Sequence, residues 1–186
     1  NLGAKPEMLW YKGTSYSGTS NWYVVCTAAP DGDTLGNLNL DLHFSGNNLF
    51  PVNLFTEESF TVDDNHVAWN AAGEDYIAMM WASVPGFCKI GSYVADYTEQ
   101  TIDCGFSNGA RFVLIKRTDA AGDWMHWDTL RGITPAGTDS PFLEFNTTNA
   151  QNNADSLHPA PEGFALRAGN NLINIDGAEY IYMAIA

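Results

Sequence analysis

Basic residues are scarce in this chain. Lys and Arg number 8 against 22 Asp and Glu, a net charge of −14 over 186 residues. Nucleic-acid recognition rests on neutralising phosphates, so this balance argues against it; it equally disfavours adhesion to anionic lipid. Charged residues of either sign reach only 16%, which leaves Asn, Ser, Thr and Gly to cover the surface. Cysteine is sparse and odd in number. Cys26, Cys88 and Cys104 are too few for a disulfide framework and lack zinc spacing. They read as buried free thiols, and Cys88 and Cys104 bracket a Gly-rich, strand-like segment whose sequence does not fix how near they lie. Long apolar runs are missing too. The longest, Ile77 to Ala82, is strand-sized and far short of a membrane helix. Asn1 to Pro6 lack the basic and apolar regions of a secretory leader. The abrupt start, and an end inside an apolar run at Ala186, read as a piece of a longer polypeptide.

Helical periodicity is also lacking, apart from a possible helical turn within Asn146 to Ser156. Strand signals fill the chain instead. Leu38 to Phe44 alternates apolar and polar residues, as a half-buried strand does. Asp75 to Trp81 is a continuous apolar and aromatic run, the pattern of a central strand buried on both faces. Phe60-Thr61-Val62, Lys89 to Tyr93, Thr101 to Cys104, Phe142 to Phe145 and Phe164-Ala165-Leu166 follow the same habit. Clusters of Gly, Asn, Asp, Ser and Pro separate them.

The strand pattern is written twice. Glu7 to Lys12 reads against Arg111 to Lys116, and Asn21-Trp22-Tyr23-Val24 against Asp123-Trp124-Met125-His126. Trp69 to Met79 reads against Ile173 to Met183 without a gap, with Asn70 and Asn174, Gly73 and Gly177, and Tyr76 and Tyr180 in register. One insertion or deletion near Trp22 keeps the rest aligned. The Asn-x-x-Gly stretches are turn signals in which Gly supplies a positive φ. The expected fold is an all-β antiparallel sandwich, jelly-roll or lectin-like, of about a dozen strands. Its expected parts are a first repeat over residues 1–86, a connecting β segment over 87–109 and a second repeat over 110–186, forming one compact unit.

Chemistry-bearing patterns are few. Asp31-Gly32-Asp33 opens like a calcium loop, but Leu35 stands where an oxygen ligand belongs. With Asp63-Asp64-Asn65 and Asp119 to Asp123 it reads as an acidic turn, and a surface calcium ion is the one metal to consider. Glu74, Asp75, Glu144 and Glu179 offer no pairing that marks a glycosidase. His43, His66, His126 and His158 lack metal spacing, and no nucleophile elbow, phosphate loop or dinucleotide fingerprint occurs. Lys12 and Lys116-Arg117 close the first strand of each half and read as solvated ends or salt-bridge partners. Asn146-Thr147-Thr148 is a glycosylation sequon. Most of the 6 Trp, 8 Tyr and 10 Phe read as core. Tyr16, Tyr23 and Trp127 are the candidates for stacking on a ligand or filling an interface.

One resemblance bears on function. Gly86-Phe87-Cys88-Lys89-Ile90-Gly91-Ser92-Tyr93, then Phe112 to Trp124, then Asp128-Thr129-Leu130-Arg131, and finally Asn174 to Ala184, resemble a module of tail-fibre and other structural proteins of tailed bacteriophages. The second half matches throughout; Glu7 to Ala82 matches in outline and lacks the stretch corresponding to Lys116 to Gly122. The resemblance implies a non-enzymatic structural module of a virion exterior, with no cofactor and with other virion proteins as partners. It also implies a homo-oligomer, a trimer above all. The alternative is a receptor-binding module for a host-surface glycan or protein.

Overall fold

The computed structural model describes residues 3–15, 20–29, 34–46, 55–62 and 69–186. Within these the chain is all-β. The first half contributes β1 (Met8–Gly13), β2 (Tyr23–Cys26), β3 (Thr34–Asn37), β4 (Ser45–Gly46) and β5 (Tyr76–Trp81). Then come β6 (Cys88–Val94) and β7 (Gln100–Asp103). The second half adds β8 (Phe112–Arg117), β9 (Trp124–Asp128), β10 (Ser140–Glu144), β11 (Asn152–Ala154), β12 (Leu157–Ala160), β13 (Gly163–Leu166) and β14 (Glu179–Ile185).

These strands form three antiparallel sheets. The first has the order β4-β3-β2-β1-β5, the second β11-β10-β9-β8-β14-β6, and the third β12-β13-β7. In the first two, four consecutive antiparallel strands, β1 to β4 and β8 to β11, are followed by a strand that returns beside the first, β5 and β14 respectively, which is a Greek-key return made twice. The ladders agree residue by residue. Met8 lies opposite Trp81 and Gly13 opposite Tyr76; Phe112 lies opposite Ile185 and Arg117 opposite Tyr180. The connection from β1 to β2 is longer than that from β8 to β9, which accounts for the shift near Trp22.

Alternation along β8 explains the layering. Leu114 joins Met8, Val24, Cys26, Phe44, Trp124, Ile181 and Met183 in a core between the first and second sheets. Val113 and Ile115 point the other way and join Trp127, Tyr180, Ile102, Leu157, Phe164 and Leu166, between the second and third sheets. A third cluster, with Leu9, Tyr11, Val25, Phe55 and Trp69, covers the outer face of the first sheet. The second sheet is thus buried on both sides, and each large apolar side chain it encloses contributes about 1.5–3 kcal/mol.

The structure departs from the sequence reading at several places. The run Asp75 to Trp81 is not a central strand, because among the described residues β5 ends the first sheet and every one of its residues keeps some exposure. Its repeat partner β14 holds the doubly buried position. The alternating run Leu38 to Phe44 is not one strand. β3 ends at Asn37, and Leu38 and Asn39 form a turn. The Asn39 side chain, which accepts the Trp22 N–H at 2.8 Å, competes with a ladder there, and Leu42 is left exposed. Asn146 to Ser156 holds no helical turn; it contains β11. Phe60-Thr61-Val62 is not in a strand, although Phe60 and Val62 pack on the outer cluster.

Candidate functional site

The repeat duplicates a polar frame as well as strands. Lys12 Nζ donates to the Ser20 carbonyl at 2.6 Å, and Lys116 Nζ to the Gly122 carbonyl at 2.7 Å. Asn39 Oδ1 accepts the Trp22 N–H while its Nδ2 donates to Asn21 Oδ1 at 3.0 Å. Asn146 does the same for the Trp124 N–H at 2.8 Å and Asp123 Oδ1 at 2.7 Å. Thr14 and Thr118 each donate N–H and hydroxyl to one carbonyl, of Asp75 and of Glu179. Even a tyrosine stack recurs by different means. Tyr76 stacks on Tyr11 of β1, whose hydroxyl donates to the Trp69 carbonyl. Tyr180 stacks on Tyr93 of β6, whose hydroxyl donates to the Ile173 carbonyl.

Lys116 is therefore neither a solvated end nor a salt-bridge partner, Lys12 is half-buried, and Arg117 does pair with an acid, Asp119. Lys116 is wholly buried, and Nζ also reaches the Asp41 carbonyl at 3.3 Å. Burial lowers its pKa to about 8, against the opposing pull of the Asp41 and Asp123 carboxylates. Further bonds tie the halves at this point. Trp124 Nε1 donates to the Asn37 carbonyl at 2.8 Å, and the Gly122 N–H to the Asp41 carbonyl at 2.7 Å.

Beside this frame lies a cavity of about 140 Å³, lined in part by Ile115, Met125, Ile173, Tyr180, Arg117, Asp123 and Asn171. Its apolar floor is buried. At its polar rim the Arg117 guanidinium is held by two bonds to the Asp119 carboxylate, at 2.8 and 2.9 Å. That pairing lowers the Asp119 pKa and raises that of Arg117. In the first half the residues matching Ile115, Met125 and Ile173 are Tyr11, Tyr23 and Trp69. Tyr23 meets Trp69 edge to face with ring centroids 4.5 Å apart. Aromatic side chains in one half thus stand where aliphatic ones line a cavity in the other.

The sequence candidates do not meet at one site. Tyr16 lies outside the described residues, as do Asp31, Asp33, the Asp63-Asp64-Asn65 turn and His66. Tyr23 is half-buried against Trp69. Trp127 has 0% exposure and packs on Phe142, so it presents no face to a ligand. His126 is buried between Phe112 and Phe145, with Nε2 3.3 Å from Asp128. Burial depresses its pKa, although Asp128 pulls the other way. His158 pairs with Asp155 at 2.6 Å, and Arg167 holds the same carboxylate at 2.9 Å. All three thiols are buried and free, and Cys88 and Cys104 line one cleft with Lys89 and Asp103. Among the described residues no three His, Cys, Asp or Glu side chains gather as a metal site. The sequence reading missed Asn174 as a fastener. It is wholly buried, accepts the Tyr97 N–H at 3.2 Å and donates to the Thr98 and Arg167 carbonyls at 2.6 and 2.9 Å. It thereby holds Tyr97 at a φ of 64°, a rare value for a bulky residue. Its Asn-x-x-Gly setting signalled only a turn.

Fold and frame together define a class: an all-β protein of stacked antiparallel sheets carrying an internal Greek-key duplication. Over residues 1–186 the chain matches the family described as a domain of unknown function, DUF7483, and it belongs to that family. No curated protein and no solved structure matches it.

Proposed function

We propose that this chain is a non-enzymatic structural module of a bacteriophage virion exterior, in a tail fibre, tail or capsid appendage, with other virion proteins as its partners. The observation that carries this reading is the doubled frame, in which two Greek keys share one core and are cross-tied through Lys116, Trp124 and Asp41. Such a frame resists local opening, which suits a part that must survive outside a cell. The segments that resemble phage structural proteins include its central strands β8 and β14. The test is immunogold electron microscopy of purified particles with antibody against the recombinant chain. Label on an external appendage is the expected result; a chain abundant in infected lysate but missing from purified particles overturns it.

A second reading, a receptor-binding module for a host-surface glycan, is favoured by the cavity lined by Arg117, Asp123 and Asn171 over an aliphatic floor. A glycan array and whole-cell binding, with and without calcium, separate the two. Saturable binding lost in Ile173→Trp, which places a ring where the first half has Trp69, selects the receptor reading. No binding by well-folded protein leaves the structural one.

A further inference from the structure

Sheet edges are where a β-protein must defend itself against unwanted pairing, and this chain defends all but one of those described. The first sheet ends on one side in the two-residue β4, and the second ends in the three-residue β11, Asn-Asn-Ala. At its other side the second sheet ends in β6, whose outer edge is capped: Val84 pairs with Cys88, and Ser83 Oγ accepts the Ile90 N–H at 3.0 Å. Glu7 fixes that cap by accepting the N–H and hydroxyl of Ser83. The third sheet ends in β12, which carries Pro159, and in the short β7 with Asp103. The exception is β5, Tyr-Ile-Ala-Met-Met-Trp, which has no charge, glycine or proline.

The ladder settles which of its backbone groups are open. Thr14 N–H donates to the Asp75 carbonyl at 2.8 Å, so Asp75, Ile77, Met79 and Trp81 face β1. Tyr76, Ala78 and Met80 face away, and among the described residues no strand meets them. The second half displays the same edge occupied. There Ala95 N–H donates to the Ala178 carbonyl at 2.9 Å, and β6 covers β14 along its full length, from Glu179 opposite Val94 to Ile185 opposite Cys88. The edge geometry is thus one that this protein already uses to bind an antiparallel strand.

We propose that β5 is a self-association edge, on which β5 of a second copy pairs antiparallel across a two-fold axis. Charge selects this occupant. With a net charge of −14, two copies repel over most of their surfaces, and β5 is an uncharged strip along which they can meet. Pairing centred on Ala78 sets Tyr76 opposite Met80 and Ile77 opposite Met79. Asp75 then falls opposite Trp81, and the carboxylates of the two copies lie at opposite ends. The product is one continuous sheet through both molecules. A self-complementary edge closes as a two-fold dimer and cannot by itself build a trimer.

The test is sedimentation of the full chain over a concentration series, beside Ala78→Pro and Ile77→Lys. Proline removes an N–H that faces the partner and leaves the ladder to β1 intact; lysine replaces an exposed apolar side chain on the edge and keeps the backbone. Thermal melts verify that each variant folds. The expected result is a concentration-dependent dimer that both folded variants lose, with Ala78→Cys crosslinking two copies on oxidation and Val94→Cys failing to do so. A wild-type monomer at every concentration overturns the proposal, and so does a dimer that Ile77→Lys leaves unchanged.

Discussion

Lys116 sets up a titration that the fold makes and the unfolded chain does not. Its ammonium is wholly buried, with the Gly122 and Asp41 carbonyls as its hydrogen-bond acceptors. Desolvation brings its pKa from 10.5 to about 8. Between those values the unfolded chain binds more protons than the folded one, so the free energy of unfolding rises with pH across this window. It is lowest where both states are protonated. Integrated from about pH 7 to pH 10, the rise from this one group is about 2.5 kcal/mol. Lys116→Met keeps most of the volume and removes the titration. It also leaves the Gly122 carbonyl without its donor, while the Asp41 carbonyl keeps the Gly122 N–H, a cost of about 1–3 kcal/mol that does not depend on pH. Near neutral pH the two effects oppose each other and the variant should be close to wild type; near pH 10 it should be clearly less stable. Urea unfolding followed by tryptophan fluorescence, at several pH values under reducing conditions, gives the difference between the two proteins. The buried tyrosines and thiols titrate in both and cancel. Parallel stability profiles would refute the reasoning, since they would mean that the amine is as well solvated folded as unfolded.

Asn146→Ala and Asn39→Ala each remove one copy of the same cap, and each should cost about 1–2 kcal/mol by chemical denaturation; a large loss at one and none at the other would deny that the copies are equivalent. Gly91→Ala sets a methyl 2.5 Å from the Tyr182 ring and should destabilise by about 1–3 kcal/mol; an unchanged melting temperature would mean that the ring has room to move. Burial drives up all three thiol pKa values, that of Cys26 to about 12 and that of Cys104 to about 11. A disulfide reagent at mildly alkaline pH should therefore react with none of them until denaturant is added, and fast labelling of native protein would contradict the burial.

Much of the frame was legible because period and duplication reinforce each other. The matched runs Glu7 to Lys12 and Arg111 to Lys116 located β1 and β8, and the matched turns at Gly73 and Gly177 took the positive φ values of 83° and 71° expected of them. Burial was read less well, since it depends on which neighbour a strand receives. Asp75 to Trp81 and Glu179 to Ile185 are similar in sequence, yet only β14 has β6 beside it and a sheet on either face. Polar residues were read least well. Lys116 looks like a strand end, and nothing local reveals that the Asp41 segment folds over it. Asn39 and Asn146 look like loop residues, and the sequon at Asn146 overlies a side chain whose amide is already spent on Asp123. Trp127 was a candidate for display because it adjoins His126, but its direction follows from the pleat of β9, which turns it into the core.

The position of β6 has a consequence for modularity. In sequence this strand follows β5 after a short turn and falls between the two repeats; in space it completes the sheet of the second. The unit that was copied is therefore not the unit that can be exchanged. A recombination point where the second repeat begins, between residues 109 and 110, would strip β14 of its neighbour and bare a second adhesive edge. A break placed before Cys88 would instead keep β6 with the sheet it completes. The intervals between modules that tolerate swapping must then be sought in the hydrogen-bond ladder and not in the alignment.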